Sequence, residues 1–221
     1  MPDFKGKTVM ITGAAGNLGR ATADAFDFAG ANLVLVDLNG DALETTYPGN
    51  ENHRIKCAVD LMVPAEIEAA VAQGRDEFGQ INALAAIAGG FHMGETVHGL
   101  PADKWDLMMD LNARTLLNTT AAVVPGMIDN NSGKIVTIGA NAARQGMANM
   151  GAYIAAKGAV IRLTETMSAE LRSKGVNVNC VMPSIIDTPE NRGAMPDAET
   201  VKVVVRCRPT SPSDGRASLA H

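Results

Sequence analysis

The segment from Thr8 to Ala29 constrains the fold more than any other. An apolar run, Thr8–Thr12 (TVMIT), passes through Gly13-Ala-Ala-Gly16-Asn17-Leu18-Gly19 directly into a helical pattern over residues 18–29. A strand that turns through glycines into a helix belongs to a parallel α/β sheet, because the helix must cross back over the face of that sheet. The rest of the chain continues the pattern. Runs at Asn32–Asp37, Arg54–Asp60, Ala83–Ala88, Lys134–Ile138 and Val176–Met182 are rich in Val, Ile, Leu or Ala, and most are apolar on both faces, as strands covered from both sides are. Helical patterns at residues 64–78, 101–127 and 147–173 alternate with them. Pro64 and Pro101 stand where helices start, and Gly30 and Gly175 just past helix ends. The predicted fold class is a doubly wound α/β sheet.

Residues 1–198 read as one domain. Beyond Pro196 the alternation stops. Residues 201–208 (VKVVVRCR) read as one strand, and residues 209–221 read as a disordered tail. We expect the chain from about Glu199 to be an aberrant or shifted reading of a longer parent, because the patterning ends abruptly where Arg206, Arg208 and Arg216 enter an otherwise acidic chain. A net charge of −5 leaves no basic excess for nucleic acid. No apolar run spans a bilayer and the N-terminus has no apolar signal core, so a cytoplasmic protein is expected. Cys57, Cys180 and Cys207 are odd in number and far apart, which fits a reducing compartment.

The glycine loop offers free N–H groups and a positive helix end to a pyrophosphate. Asp37 closes the second strand, where its carboxylate can accept from the adenosine ribose and would repel a 2′-phosphate. Neither the loop nor Leu38 and Asn39 bring an Arg or Lys to that phosphate, so NAD(H) is expected in preference to NADP(H). Further along, Tyr153 and Lys157 stand four apart on one helical face. A nearby ammonium favours the phenolate and is expected to lower the tyrosine pKa, making it a general acid/base.

With these motifs in order, residues 5–196 resemble the short-chain dehydrogenase/reductases. Thr12, Gly13, Gly16, Asn17, Leu18 and Gly19 match the nucleotide loop. Asp37 with Leu38 matches the ribose site, and Asp60 with Leu61 the adenine site. Ala88-Gly89 matches the end of the fourth-strand motif, and Asn112 the catalytic-helix asparagine. Tyr153 and Lys157 match the active-site pair, and Pro183, Ile186 and Thr188 the segment against the nicotinamide carboxamide. The resemblance implies a Rossmann-type sheet in the order 3-2-1-4-5-6 and hydride transfer to or from a small carbonyl or secondary alcohol, such as a 3-oxoacyl substrate. Tyr153 would move the proton, Lys157 hold the nicotinamide ribose and Asn112 hold a relay water. It also implies a homodimer or homotetramer. The family's seventh strand is missing or atypical here, which would leave Val176–Met182 as an exposed edge.

Four positions depart from the family pattern. Ala140 replaces the serine 13 residues before the tyrosine, removing a donor to the reacting oxygen; Asn141, Gln145 or a water is left to supply it. Asn17 stands at the middle glycine, Ala86-Ile87 at the usual Asn-Asn, and Ser184 at the glycine after Pro183. One branch, the quinonoid dihydropteridine reductases, also lacks the serine, is NADH-linked and reduces a conjugated ring. Residues 139–143, 151–160 and 187–196 are similar to its segments. A catalytically silent NAD-binding sensor or scaffold is the competing class. Met147, Ser184 and Met195, with Ala140, Asn141 and Gln145, are candidate pocket residues. No metal site is expected from His53, Cys57, His92 or His98, and Trp105 reads as a helix-packing residue.

Overall fold

The computed structural model describes residues 3–194. Six parallel strands form one sheet: β1 (Thr8–Thr12), β2 (Asn32–Asp37), β3 (Arg54–Ala58), β4 (Ala83–Ala86), β5 (Gly133–Ile138) and β6 (Val176–Val181), ordered β3-β2-β1-β4-β5-β6. Helices α1 (Asn17–Phe28) and α2 (Gly40–Thr46) lie on one face. On the other lie α3 (Pro64–Phe78), α4 (Ala102–Met109), α5 (Thr115–Asp129) and α6 (Gly151–Leu171). A short α7 (Pro189–Ala194) follows β6.

Alternate strand residues feed the two layers, which is why the central strands β1, β2 and β4 are buried nearly throughout. Val9, Ile11, Leu33 and Leu35 pack with Ala23 of α1 and Leu43 of α2. Met10, Val34, Val36, Leu84 and Ile135 pack with Ile67 of α3, Val123 of α5 and Val160 of α6. Each large aliphatic side chain so buried contributes about 1.5–3 kcal/mol. The strand order reverses between β1 and β4, and the crevice at their C-terminal ends is where such sheets bind ligands. No helix among the described residues is long and apolar enough to cross a membrane.

Several predicted boundaries move, each for a visible reason. β4 ends at Ala86, because the N–H groups of Ile87 and Ala88 leave the ladder and donate to the Thr12 hydroxyl (3.1 and 3.2 Å). β3 ends at Ala58, and the Asp60 N–H turns to Glu66 (2.7 Å). The helix expected from Met147 starts at Gly151. Asn149 takes a left-handed backbone (φ 61), and its carbonyl accepts the Gly94 N–H at 2.8 Å. α2 lies where the hydrophobic pattern marks no helix; the Asn39 side chain caps it by accepting the Ala42 N–H at 3.0 Å. The helix expected over residues 101–127 starts at Ala102 and is interrupted by a π-turn, Asp110–Arg114, where the Thr115 N–H reaches back five residues to Asp110. Trp105 is 42% exposed rather than packed inside. The tail expected over residues 199–221, its strand and Met195 lie outside the described residues.

Candidate active site

The site is built first by the turn after β1. The Thr12 hydroxyl ties the end of β1 to the chain leaving β4. Gly13 follows with φ 67, and a Cβ there would stand 3.0 Å from the Ala88 backbone. A Cβ on Gly19 would stand 2.0 Å from the Gly13 carbonyl oxygen. Side chains at these two positions would fill the cradle. Gly16 begins α1 with no side-chain cap, and the first turn, Asn17-Leu18-Gly19, carries no acidic residue. The N–H groups of a first turn have no intrahelical acceptor, so they and the helix dipole suit an anion such as a pyrophosphate.

Asp37 ends β2 beside this loop. Its Oδ2 accepts the Ala15 N–H at 3.0 Å and its Oδ1 the Asn39 N–H at 3.2 Å. A carboxylate has about four acceptor sites, so two more partners can be served. Leu38 stands exposed next to it. After β3, the Asp60 Oδ1 accepts the Met62 N–H (2.8 Å), and the buried Leu61 offers its carbonyl to Asn118 (2.9 Å). These groups lie in one row along the C-terminal edge of the sheet, as an extended dinucleotide requires.

The second half of the site rests on α6. Tyr153 and Lys157 lie one turn apart. Lys157 is only 6% exposed, and its Nζ donates to the Ile138 carbonyl at 2.9 Å. Burial holds its ammonium down to about 8. Burial also pushes the Tyr153 hydroxyl above its usual value. This corrects the expectation that Lys157 lowers the tyrosine: the ammonium is turned onto Ile138, and desolvation of the phenolate prevails. The Phe91 ring meets Tyr153 edge to face, with centroids 4.8 Å apart.

Asn112 sits in the π-turn, almost fully buried. Its Oδ1 accepts the Gly90 N–H (3.2 Å), and its Nδ2 donates to the carbonyls of Gly90 (3.1 Å) and Met108 (2.9 Å). A Cβ on Gly89 would stand 2.7 Å from Asn112 Oδ1 and 3.2 Å from Lys157 Nζ, so only glycine lets the two approach. A small cavity lined by Thr12, Ala88, Asn112, Thr115, Ile138 and Lys157 runs beneath them.

The remaining predicted residues take the rim. Ala140, two residues beyond β5, is buried and presents only a methyl group. The Asn141 N–H donates to the Pro183 carbonyl at 3.0 Å, while the Asn141, Gln145 and Met147 side chains are exposed. Ser184 is exposed beside the half-buried Pro183. The Ile186 carbonyl and the Thr188 hydroxyl accept from Asn191 (2.9 and 3.2 Å), which shapes the turn into α7.

Sequence reading missed Phe91, although a lone aromatic after Gly89-Gly90 in a chain with 4% aromatics was a usable signal. It also missed Tyr47, which had no motif to mark it. His92 is paired with Glu95 at 2.8 Å, and that pairing lowers the glutamate pKa. His53 is paired with Asp27 at 2.8 Å. Among the described residues no three His, Cys, Asp or Glu side chains converge as a metal site.

Comparison with known proteins agrees with this fold. The short chain dehydrogenase family model matches residues 7–199. Dehydrogenase/reductase SDR family member 6 of Rattus norvegicus is 33% identical over 192 residues, covering 86% of this chain and 75% of that protein. The 2-dehydro-3-deoxy-L-rhamnonate dehydrogenase (NAD(+)) of Sphingomonas sp. (strain SKA58) is 31% identical over 186 residues, covering 84% and 74%. In fold, the chain is similar to the 3-ketoacyl-(acyl-carrier-protein) reductase of Brucella melitensis complexed with NADH, with a TM-score of 0.81, 24% identity and coverage of 90% and 86%. The chain belongs to the short-chain dehydrogenase/reductase family of oxidoreductases.

Proposed function

We propose that the chain is an NAD(H)-dependent oxidoreductase that interconverts a small carbonyl compound, 3-oxoacyl or similar, and its alcohol, with Tyr153 as general acid/base. The observation that carries this reading is the convergence of Lys157, Gly89 and Asn112, with Tyr153 one helical turn from Lys157, beside a glycine cradle that has Asp37 at its far end. The relative named as NAD(+)-dependent supports the choice of nucleotide.

When bound, the nicotinamide supplies or accepts the hydride. The chain's own residues manage position and protons. The first turn of α1 holds the pyrophosphate, and Asp37 accepts from the adenosine ribose. Asp60 and Leu61 flank the adenine, and Pro183, Ile186 and Thr188 flank the carboxamide. Lys157, with a pKa of about 8, is mostly charged at pH 7 and donates to the nicotinamide ribose. Once near Tyr153, that charge opposes the effect of burial and eases loss of the phenolic proton. In the direction of reduction, Tyr153 gives that proton to the nascent alkoxide. Asn112 has both amide hydrogens committed to carbonyls, so a relay water is left the second lone pair of Oδ1 or the main chain.

Ala140 favours a second reading, reduction of a conjugated quinonoid ring as in dihydropteridine reductases. Charge that spreads over such a ring needs less help from a hydroxyl donor at this position than a localised alkoxide does.

The test is a fluorescence titration with NADH and with NADPH, followed by a panel of carbonyl and quinonoid substrates. Micromolar NADH binding, about −8 kcal/mol, with much weaker NADPH is expected. Tyr153→Phe is expected to cost at least about a hundredfold in turnover. Turnover unchanged in Tyr153→Phe overturns the mechanism. NADH binding without turnover of any substrate points to the silent scaffold.

A further inference from the structure

We propose that Tyr47 is a positioning residue for nucleotide binding: its hydroxyl and the Asp37 carboxylate clamp the two ends of one peptide group in the phosphate loop, fixing which N–H groups face the pyrophosphate. This rests on the nucleotide-binding reading above.

The peptide group between Ala14 and Ala15 has its carbonyl on one side and its N–H on the other. The carbonyl accepts the Tyr47 hydroxyl at 2.7 Å in a fully buried contact. The N–H donates to Asp37 Oδ2 at 3.0 Å. A trans peptide is rigid, so holding both ends fixes the plane. The flanking groups are also held. The Ala14 N–H donates to Val36 (3.0 Å), and the Gly16 N–H donates to Gly13 (3.2 Å). The first turn of α1 follows directly on these held groups.

Tyr47 is built for this task. Pro48 follows it, and the residue before a proline is driven out of the helical region. Tyr47 accordingly ends α2 with φ −123 and ψ 71. Its carbonyl is held by Lys56 Nζ at 3.1 Å. The ring is 5% exposed and packs in the core cluster that contains Ala14, Leu35 and Leu43. Burial, seconded by Asp24, pushes the hydroxyl up to about 12, so it remains a donor at every working pH.

A hydroxyl that only satisfies itself in the core would affect stability and nothing else. Tyr47→Phe keeps the ring and removes the oxygen, and it separates the two roles. NADH titration, amide hydrogen exchange of the loop and melting temperature are measured together. Ile67→Val, buried in the other layer, is the control for general loss of stability. In Tyr47→Phe we expect about tenfold weaker NADH binding and at least tenfold faster exchange at Ala15 and Gly16. In Ile67→Val we expect a lower melting temperature with wild-type affinity and loop exchange. Wild-type affinity in Tyr47→Phe overturns the inference, as does an affinity loss matched by Ile67→Val. If the wild-type chain binds neither nucleotide, the proposed function falls. Loop exchange needs no ligand: if Tyr47→Phe leaves it unchanged in that case, the clamp falls as well, and if it quickens, only the nucleotide assignment fails.

Discussion

Lys157 places an ammonium where a charge is poorly solvated, and that cost can be measured. The free side chain titrates near 10.4 and the buried one at about 8. Between those values the unfolded chain holds a proton that the folded chain has released, so stability rises with pH across that window. Below pH 8 the folded protein bears the whole penalty, on the order of 3 kcal/mol. Lys157→Met removes it but leaves the Ile138 carbonyl without its donor, a loss of about 1 kcal/mol. At pH 7 the variant should melt roughly 4–8 °C higher than the parent, with the advantage gone above about pH 10.5, and its turnover should be abolished. Thermal melts of both chains from pH 6 to 11 check this; a variant that melts lower at pH 7 refutes it. Tyr153 and Lys157 were legible because their relation is local, one helical turn. Phe91 and Tyr47 were not, because each acts on a partner dozens of residues away that only the assembled sheet brings near.

At the scale of elements, the π-turn at Asp110–Arg114 decides where Asn112 points. A regular helix through these residues would rotate every later side chain relative to the earlier ones. The extra residue in the turn instead aims Asn112 at Gly90, and its amide joins the α4–α5 helical run to the chain leaving β4. Asn112→Ala leaves the Gly90 N–H, the Gly90 carbonyl and the Met108 carbonyl without this partner, inside a nearly closed space. We expect a loss of about 2–4 kcal/mol, taking each orphaned group at the low end of its range, and faster amide exchange at Gly90. Denaturant unfolding checks the first and exchange the second; a loss under about 0.5 kcal/mol would mean water replaces the amide without difficulty. The sequence placed β1, β2 and α3 to the residue, because their apolar patterns stop at Thr12, Asp37 and Phe78 in sharp breaks. It placed the end of β4 and the start of α6 less well. Those boundaries are set by the Thr12 hydroxyl and by the Gly94–Asn149 contact, which hydrophobic patterning does not encode.

At the scale of the molecule, the two faces of the sheet are unequally dressed. Helices α3, α4, α5 and α6 cover one face, and α1 and α2 cover the β1–β2–β3 part of the other. Among the described residues β6 has β5 as its single neighbour, and Val181 and Met182 at its end are 48% and 42% exposed. A parallel edge strand with exposed apolar side chains is a template for pairing with another chain. The family resemblance implies a homodimer or homotetramer, and we expect copies to meet along this edge. Association through this edge should depend on concentration, and a charge on the edge should oppose it. Asn179 is exposed on the same row as Val181 and stands farther from Pro183 and the nucleotide segment. Asn179→Lys should shift the association equilibrium toward the monomer by about tenfold, because bringing two ammonium groups into register across a pair of edges costs on the order of 1 kcal/mol or more. The shift should shrink in high salt, and NADH affinity should stay within twofold of wild type. Light scattering over a concentration series, at low and high salt, reads both. Equal association of the two chains would show that copies meet elsewhere, and the exposed face of α4 and α5, where Trp105 and Leu117 stand out to solvent, would then be the surface to charge next.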